Sequence, residues 1–226
     1  MSASRVIIIG ATGMIGGLAL QHCLDRADVA QVTILSRRPV GISHHRLHEV
    51  LHDDFGDYSA VAAELAGHDV ALFCLGAYTG VLPDDEFRRV TVDYALAFAN
   101  ALYAASPRAV FCFLSGQGAD QSGRSRMAFA RYKGEAEKGL LAIGFPRVHL
   151  FRPGYIYPVS PRREPNFAYR VMRALWPAVR LIYPNLGIAS DALALAMVEA
   201  GLSGDEGAPG TVLENRQIRQ FARRGR

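Results

Sequence analysis

Arg5-Val6-Ile7-Ile8-Ile9-Gly10-Ala11-Thr12-Gly13-Met14-Ile15-Gly16-Gly17 decides the fold of this chain. A β-branched apolar run of strand length leads into glycines spaced Gly-x-x-Gly-x-x-Gly. A helical apolar pattern, Ile15, Leu18, Ala19 and Cys23, follows at once. Strand, glycine turn and helix N-terminus in that order make a site for a dinucleotide pyrophosphate. Glycine serves where the turn takes positive φ, and the helix N-terminus offers free N–H groups and a positive dipole end to the anion. Gly10, Thr12, Gly13, Met14, Ile15 and Gly16 are therefore the first candidate cofactor-binding residues.

Outward from this turn the apolar patterning alternates between strand and helix, the signature of a parallel sheet. Strands are expected over 6–9, 32–35, 47–51, 70–75, 109–114 and 148–151, and helices over 14–27, 58–66, 84–105 and 126–143. The expected fold class is α/β, a Rossmann-like doubly wound parallel sheet. The chain of 226 residues suits one domain, with a dinucleotide-binding core over 1–152 and substrate-side elements over 153–226. Past Pro153 the rhythm breaks. Pro158, Pro161, Pro165, Pro177 and Pro184 punctuate a basic, aromatic stretch in which Phe167, Val171, Met172, Leu175 and Trp176 recur at helical spacing, which reads as a packed lid or dimer helix.

The end of the second strand bears on cofactor choice. A site for NAD places an acid there to accept from the ribose 2′-hydroxyl, whereas arginine suits the 2′-phosphate of NADP. The sequence reads Leu35-Ser36-Arg37-Arg38-Pro39, with no acid and two guanidiniums. These are suited to bidentate phosphate contacts, so Ser36, Arg37 and Arg38 favour NADP, with NAD as the alternative. Asp54 and Phe55 after the third strand, and Leu75, Gly76 and Ala77 after the fourth, fall where the adenine and the nicotinamide ribose lie in such folds.

The chain resembles the short-chain dehydrogenase/reductase superfamily, and within it the atypical NAD(P)-binding group that holds the Tat-interacting-protein-like, NmrA-like and epimerase/dehydratase-like proteins. The resemblance rests on Gly10-Ala11-Thr12-Gly13-Met14-Ile15-Gly16, Phe73-Cys74-Leu75-Gly76, Leu114-Ser115-Gly116-Gln117-Gly118-Ala119-Asp120, Lys133-Gly134-Glu135-Ala136-Glu137, Phe151-Arg152-Pro153-Gly154 and Leu213-Glu214-Asn215. It implies Ser115 as the active-site serine and Lys133 as the lysine that binds the nicotinamide ribose and lowers a tyrosine pKa. It also implies Pro153, Gly154 and Tyr155 as cofactor neighbours.

One departure stands out. Members of that superfamily carry Tyr-x-x-x-Lys on one helical face, and the phenol moves the proton that accompanies hydride transfer. Four residues before Lys133 this chain has Phe129, and no Tyr-x-x-x-Lys occurs in it. Tyr132, or Tyr155 or Tyr157 from the opposite side, are the candidate substitutes. The third option is a hydride acceptor that needs no dedicated acid.

Composition narrows the remainder. Half the residues are hydrophobic, the apolar runs are short, and the formal charge of +4 is mild. No membrane span and no specific nucleic-acid partner are expected. Arg216, Arg219, Arg223, Arg224 and Arg226 read as a solvated helix end. Cys23, Cys74 and Cys112 are widely spaced, as reduced core thiols are, and His44, His45, His48 and His52 lack a third ligand, so no metal site is expected. The short stretch before the first strand suggests a cytoplasmic protein, monomeric or homodimeric. The leading reading is an atypical NADP-dependent oxidoreductase acting on a small-molecule substrate. The alternative is a non-catalytic NADP(H)-sensing protein that binds a regulatory protein partner, and a third is an oligomeric scaffold.

Overall fold

A computed structural model describes residues 3–77, 80–159, 176, 185–203 and 210–225. Seven strands form one parallel sheet: β1 (Ser4–Ile9), β2 (Val29–Ser36), β3 (Leu47–Leu51), β4 (Val70–Phe73), β5 (Val110–Leu114), β6 (Arg147–Arg152) and, later in the chain, β9 (Thr211–Glu214). Their spatial order is β3-β2-β1-β4-β5-β6-β9. The chain winds outward from β1 to β3, then restarts on the other side of β1 with β4. This reversal opens a crevice at the carboxyl ends of β1 and β4, where ligands of such sheets bind. The expected Rossmann-like doubly wound sheet is the fold observed.

Both faces of the sheet are covered, so its central strands are apolar without interruption. Val6 and Ile8 face one layer with α1 (Met14–Asp25), α5 (Ser190–Leu202) and α6 (Asn215–Arg224). Ile7 and Ile9 face the other, with α3 (Tyr94–Ala105) and α4 (Ala128–Ile143). Phe73, Phe98, Phe111 and Phe113, all fully buried, pack as one aromatic group in this second layer.

Sequence and structure part in several places. The helix expected over 84–105 is three segments in series: α2 (Asp84–Arg88), a single π-turn (Arg89–Asp93) and α3. The helix expected near 58–66 is a 3-10 segment (Ser59–Leu65), kinked at Val61. Helix α5 gives no periodic signal because it is buried nearly all round, with Leu193, Ala194, Ala196, Met197 and Ala200 sealed off from solvent. Two short strands, β7 (Tyr155–Tyr157) and β8 (Gly187–Ala189), pair in parallel as a separate ribbon, and three-residue strands carry too little pattern to read. The helix expected around 167–176 lies outside the described residues except for Trp176, which is buried against Tyr155 and Tyr157. The His44 and His45 rings lie 4.4 Å apart. His48 Nε2 pairs with Glu64 at 2.7 Å, whereas His52 is buried among Phe55 and Tyr58.

His149 on β6 offers a test of packing. It is buried beside Phe221, and neither ring nitrogen has a hydrogen-bond partner among the described residues. Burial, assisted by the charge of Arg147, pushes its pKa down from 6.5 to about 4. The unfolded chain therefore binds a proton that the folded chain refuses. Stability is complete above pH 6.5 and falls as the pH drops toward about 4, by up to about 3 kcal/mol from this residue. In urea unfolding at a series of pH values, His149→Leu is expected to flatten this acid limb. An unchanged limb would assign it to other groups.

Candidate cofactor and active site

The site begins with the β1–α1 turn. Gly10 has φ +89°, and a Cβ on it would lie 2.7 Å from the Leu75 amide nitrogen at the end of β4. A Cβ on Gly16 would lie 2.2 Å from the Gly10 carbonyl oxygen. Bare backbone at these two positions lets helix and turn close on each other. Gly13 differs: its φ of −86° and ψ of 174° are ordinary extended values, and a Cβ there meets the Gly10 oxygen at 3.2 Å. Gly13 occupies the N-cap of α1 with no side-chain cap, and the first turn holds no acid. The first-turn amides of Met14, Ile15 and Gly16 have no helical acceptor of their own, an arrangement that suits an anion.

Beside this turn lies a cavity of about 340 Å³ walled by Gly10, Thr12, Leu35, Ser36, Arg37, Arg38, Phe55 and Leu75. Three strand ends and the glycine turn thus bring together residues far apart in sequence. A larger cleft of about 780 Å³ adjoins it, sharing Thr12 and Arg38 and adding Gly13, Met14 and the outer side of α1 at Gly17, Leu18 and Gln21. Arg37 and Arg38 are exposed and have no hydrogen-bond or ion-pair partner among the described residues. The Ser36 hydroxyl is committed: it donates to the Arg38 carbonyl at 2.9 Å, so its proton is not available to a phosphate. Ile15 is buried in the core, and Asp54 closes a local turn by accepting from the Gly56 amide at 2.9 Å. Gly76 and Ala77 continue the strand end beyond Leu75, and a Cβ on Gly76 would meet nothing within 4 Å.

The expected catalytic residues lie at the carboxyl ends of β5 and β6. Lys133 is buried, donates from Nζ to the Leu114 carbonyl at 2.8 Å, and stands 4.8 Å from the centre of the Phe113 ring. Burial lowers its pKa to about 8, opposed in part by the charge of Glu137. Ser115 turns its hydroxyl to Glu137, donating to Oε1 at 2.5 Å. Glu137 has no solvent exposure, and it also accepts from Gln121 Nε2 at 2.8 Å and from Arg152 through Nε at 2.9 Å and Nη2. This carboxylate is the residue that sequence reasoning missed. Its signal was present in the quoted Lys133-to-Glu137 motif, because i and i+4 share a helix face.

Phe129 packs on Gly116: a Cβ on that glycine would lie 2.4 Å from Phe129 Cζ. The phenyl ring therefore sits beside Ser115. Tyr132 is drawn the other way, donating its hydroxyl to Asp84 Oδ2 at 2.5 Å and packing on Phe87. The Asp84 carboxylate raises the pKa of this phenol. Pro153 accepts from the Gln117 amide at 2.9 Å. Gly154 is needed for packing, since a Cβ there would lie 2.2 Å from the Leu186 carbonyl oxygen. Tyr155 packs on Trp176 with tilted rings, their centres 5.2 Å apart.

Comparison with known proteins agrees with this geometry. Residues 10–140 match a family described as NAD(P)H-binding. Protein HTATIP2 of Rattus norvegicus is 32% identical over 158 residues, spanning 69% of this chain and 64% of that protein, so the match covers less than two thirds of the rat protein. Protein fmp52, mitochondrial, of Aspergillus niger is 30% identical over 215 residues, covering 90% of this chain and 89% of its own. Among solved structures, an oxidoreductase of the short-chain dehydrogenase/reductase family from Burkholderia thailandensis superposes with TM-score 0.70 at 17% identity, over 94% of this chain and 91% of its own. The Bordetella bronchiseptica enzyme WbmF in complex with NAD+ superposes with TM-score 0.66 at 14% identity, over 99% and 78%. These structures show the shared fold.

The comparisons also correct one expectation. Fungal relatives, including one from Meyerozyma guilliermondii, are named as mitochondrial proteins, which overturns the cytoplasmic location expected from the short stretch before β1. Among the described residues no helix is long and apolar enough to cross a membrane. With its glycine turn, its parallel sheet and a matched segment that covers more than half its length, the chain belongs to the NAD(P)H-binding family.

Proposed function

We propose that this protein binds NADP(H), with the 2′-phosphate taken by Arg37 and Arg38. The observation that carries the reading is the cavity shared by Gly10, Thr12, Arg37, Arg38, Phe55 and Leu75. Its donors suit the group: open amides at the head of α1 for the pyrophosphate, and two guanidiniums, unpaired among the described residues, where an acid would select NAD. Bound there, the nicotinamide would supply or accept hydride. The chain's own part is to hold the phosphates and manage a proton.

For that proton the arrangement favours nucleotide sensing over rapid carbonyl reduction. Phe129 has no proton, the Ser115 hydroxyl is spent on Glu137, and the Tyr132 phenol is spent on Asp84. One observation favours the oxidoreductase reading, namely Lys133, a buried amine held near the carboxyl end of β5 with its pKa lowered to about 8. Both readings share the cofactor. They differ in whether a small-molecule substrate turns over or a protein partner reads the nucleotide state.

Three outcomes are expected. In calorimetry NADPH binds more tightly than NADH, and Arg37→Ala or Arg38→Ala weakens NADPH selectively by about 1.5–3 kcal/mol, the worth of a charge-assisted hydrogen bond. Equal affinities would remove the NADP reading. Gly13→Ala folds but loses nucleotide binding because its methyl stands among the phosphate-facing amides. Gly16→Ala fails earlier, in thermal melting, because its Cβ overlaps the Gly10 carbonyl. A Gly13→Ala protein with unchanged affinity would reduce the glycine motif to a structural turn. Finally, wild type reduces a panel of ketones and aldehydes with NADPH slowly, and Phe129→Tyr raises the rate by roughly 10²–10⁴-fold, the usual contribution of a positioned acid. Fast wild-type reduction that survives Tyr132→Phe would contradict this account of α4.

A further inference from the structure

The loop bearing Arg37 and Arg38 is fastened by Ser36 on the cavity wall and by Glu49, Arg46 and His52, which do not line the nucleotide cavity. At its start, the Ser36 carbonyl accepts from the His52 amide at 3.0 Å, and the Ser36 hydroxyl holds the Arg38 carbonyl. Pro39 fixes its own φ. Next, the Val40 amide donates to Glu49 Oε1 at 2.8 Å. At its far end, Arg46 donates to the carbonyls of Leu24, Arg26 and Val29, and the His44 carbonyl accepts from the Leu47 amide at 3.0 Å. Only the tip is open: Gly41, at φ +73°, has nothing within 4 Å of a Cβ position, and Ile42 is 39% exposed. The two arginines stand within the fastened part.

A guanidinium on a long stem loses much rotamer freedom when it grips a phosphate. The protein can limit the remaining cost by fixing the backbone from which the stem springs. Glu49 sits on β3 opposite Ile34, on the α1 side of the sheet, and reaches up to the loop from below. We infer that Glu49 is a positioning residue for cofactor choice: by holding Val40 it sets the Arg38–Pro39 backbone, so that the guanidiniums meet the 2′-phosphate. An acid at the end of β2 would select NAD by accepting from the ribose hydroxyl. This acid, one strand farther out, acts the opposite way because it grips backbone and does not face the ligand. The inference rests on the NADP(H) reading above.

The test titrates wild type, Glu49→Ala and Glu49→Gln with NADPH and NADH by calorimetry, and follows hydrogen exchange of the Val40 amide on the same samples. Loss of folded protein lowers both affinities together, so their ratio separates positioning from stability. Glu49→Ala is expected to deprotect Val40 and to cut the NADPH/NADH affinity ratio about tenfold, as expected for one lost hydrogen bond, with NADH affinity unchanged. Glu49→Gln keeps a carbonyl oxygen and is expected to keep the ratio. If alanine destabilises β3, Glu49→Leu removes the acceptor while filling the space. A wild type that binds both cofactors equally takes down the cofactor reading and this inference with it. A wild-type preference that survives Glu49→Ala with Val40 deprotected overturns the inference alone, as does a Gln variant that loses as much as Ala.

Discussion

The closure of the β1–α1 turn is the constraint on which the rest depends. The Gly10 carbonyl lies where a side chain on residue 16 would have to be, and Gly10 itself lies against the backbone at the end of β4. Three backbone segments therefore meet with no side chain between them. That contact sets the angle at which α1 leaves the sheet and points its open amides at the crevice between β1 and β4. It also explains the division among the glycines. Gly10 and Gly16 make the fold, whereas Gly13 keeps ordinary dihedrals and a Cβ there would be tight only against the Gly10 oxygen, at 3.2 Å.

At the carboxyl ends of β5 and β6 the chain departs from the Tyr-x-x-x-Lys pattern of the short-chain dehydrogenases it resembles in sequence. A buried carboxylate, Glu137, collects a serine, a glutamine and an arginine. Such a cluster is costly to desolvate, and breaking it by removing one partner commonly costs about 3–5 kcal/mol. Its geometry ties α4 to the ends of β5 and β6 and withdraws the Ser115 proton from the crevice. A phenyl ring covers Gly116 on this side of the site, while on the other side the glycine turn and the cavity beside it keep the features that a dinucleotide would need. That asymmetry is the physical basis for placing nucleotide binding ahead of turnover.

The sheet was legible because its central strands are buried on both faces and read as apolar runs, and because the glycine spacing fixed the first turn. Residue β3 47–51 was read with the observed bounds, and the cavity collects Gly10, Thr12, Ser36, Arg37, Arg38, Phe55 and Leu75 from the expected cofactor residues. What escaped did so for physical reasons. Helix α5 is buried nearly all round and has no period to detect, and the π-turn at Arg89–Asp93 keeps helical dihedrals at both ends, so no residue type announces it. Burial of Glu137 is not legible in its own helix, because it depends on Arg152, contributed by a different strand. The Ser36 hydroxyl was expected to face phosphate, yet it faces a carbonyl two residues on, a choice that only loop geometry decides.

The central claim is that one cavity, bounded by the glycine turn and the ends of β2, β3 and β4, holds the dinucleotide. Backbone amide resonances followed by NMR during addition of NADPH test it residue by residue. The account predicts saturable shifts concentrated at Gly10, Thr12, Gly13, Arg37, Arg38, Phe55 and Leu75. Shifts confined to a surface remote from these residues, or none at saturating NADPH, would contradict it.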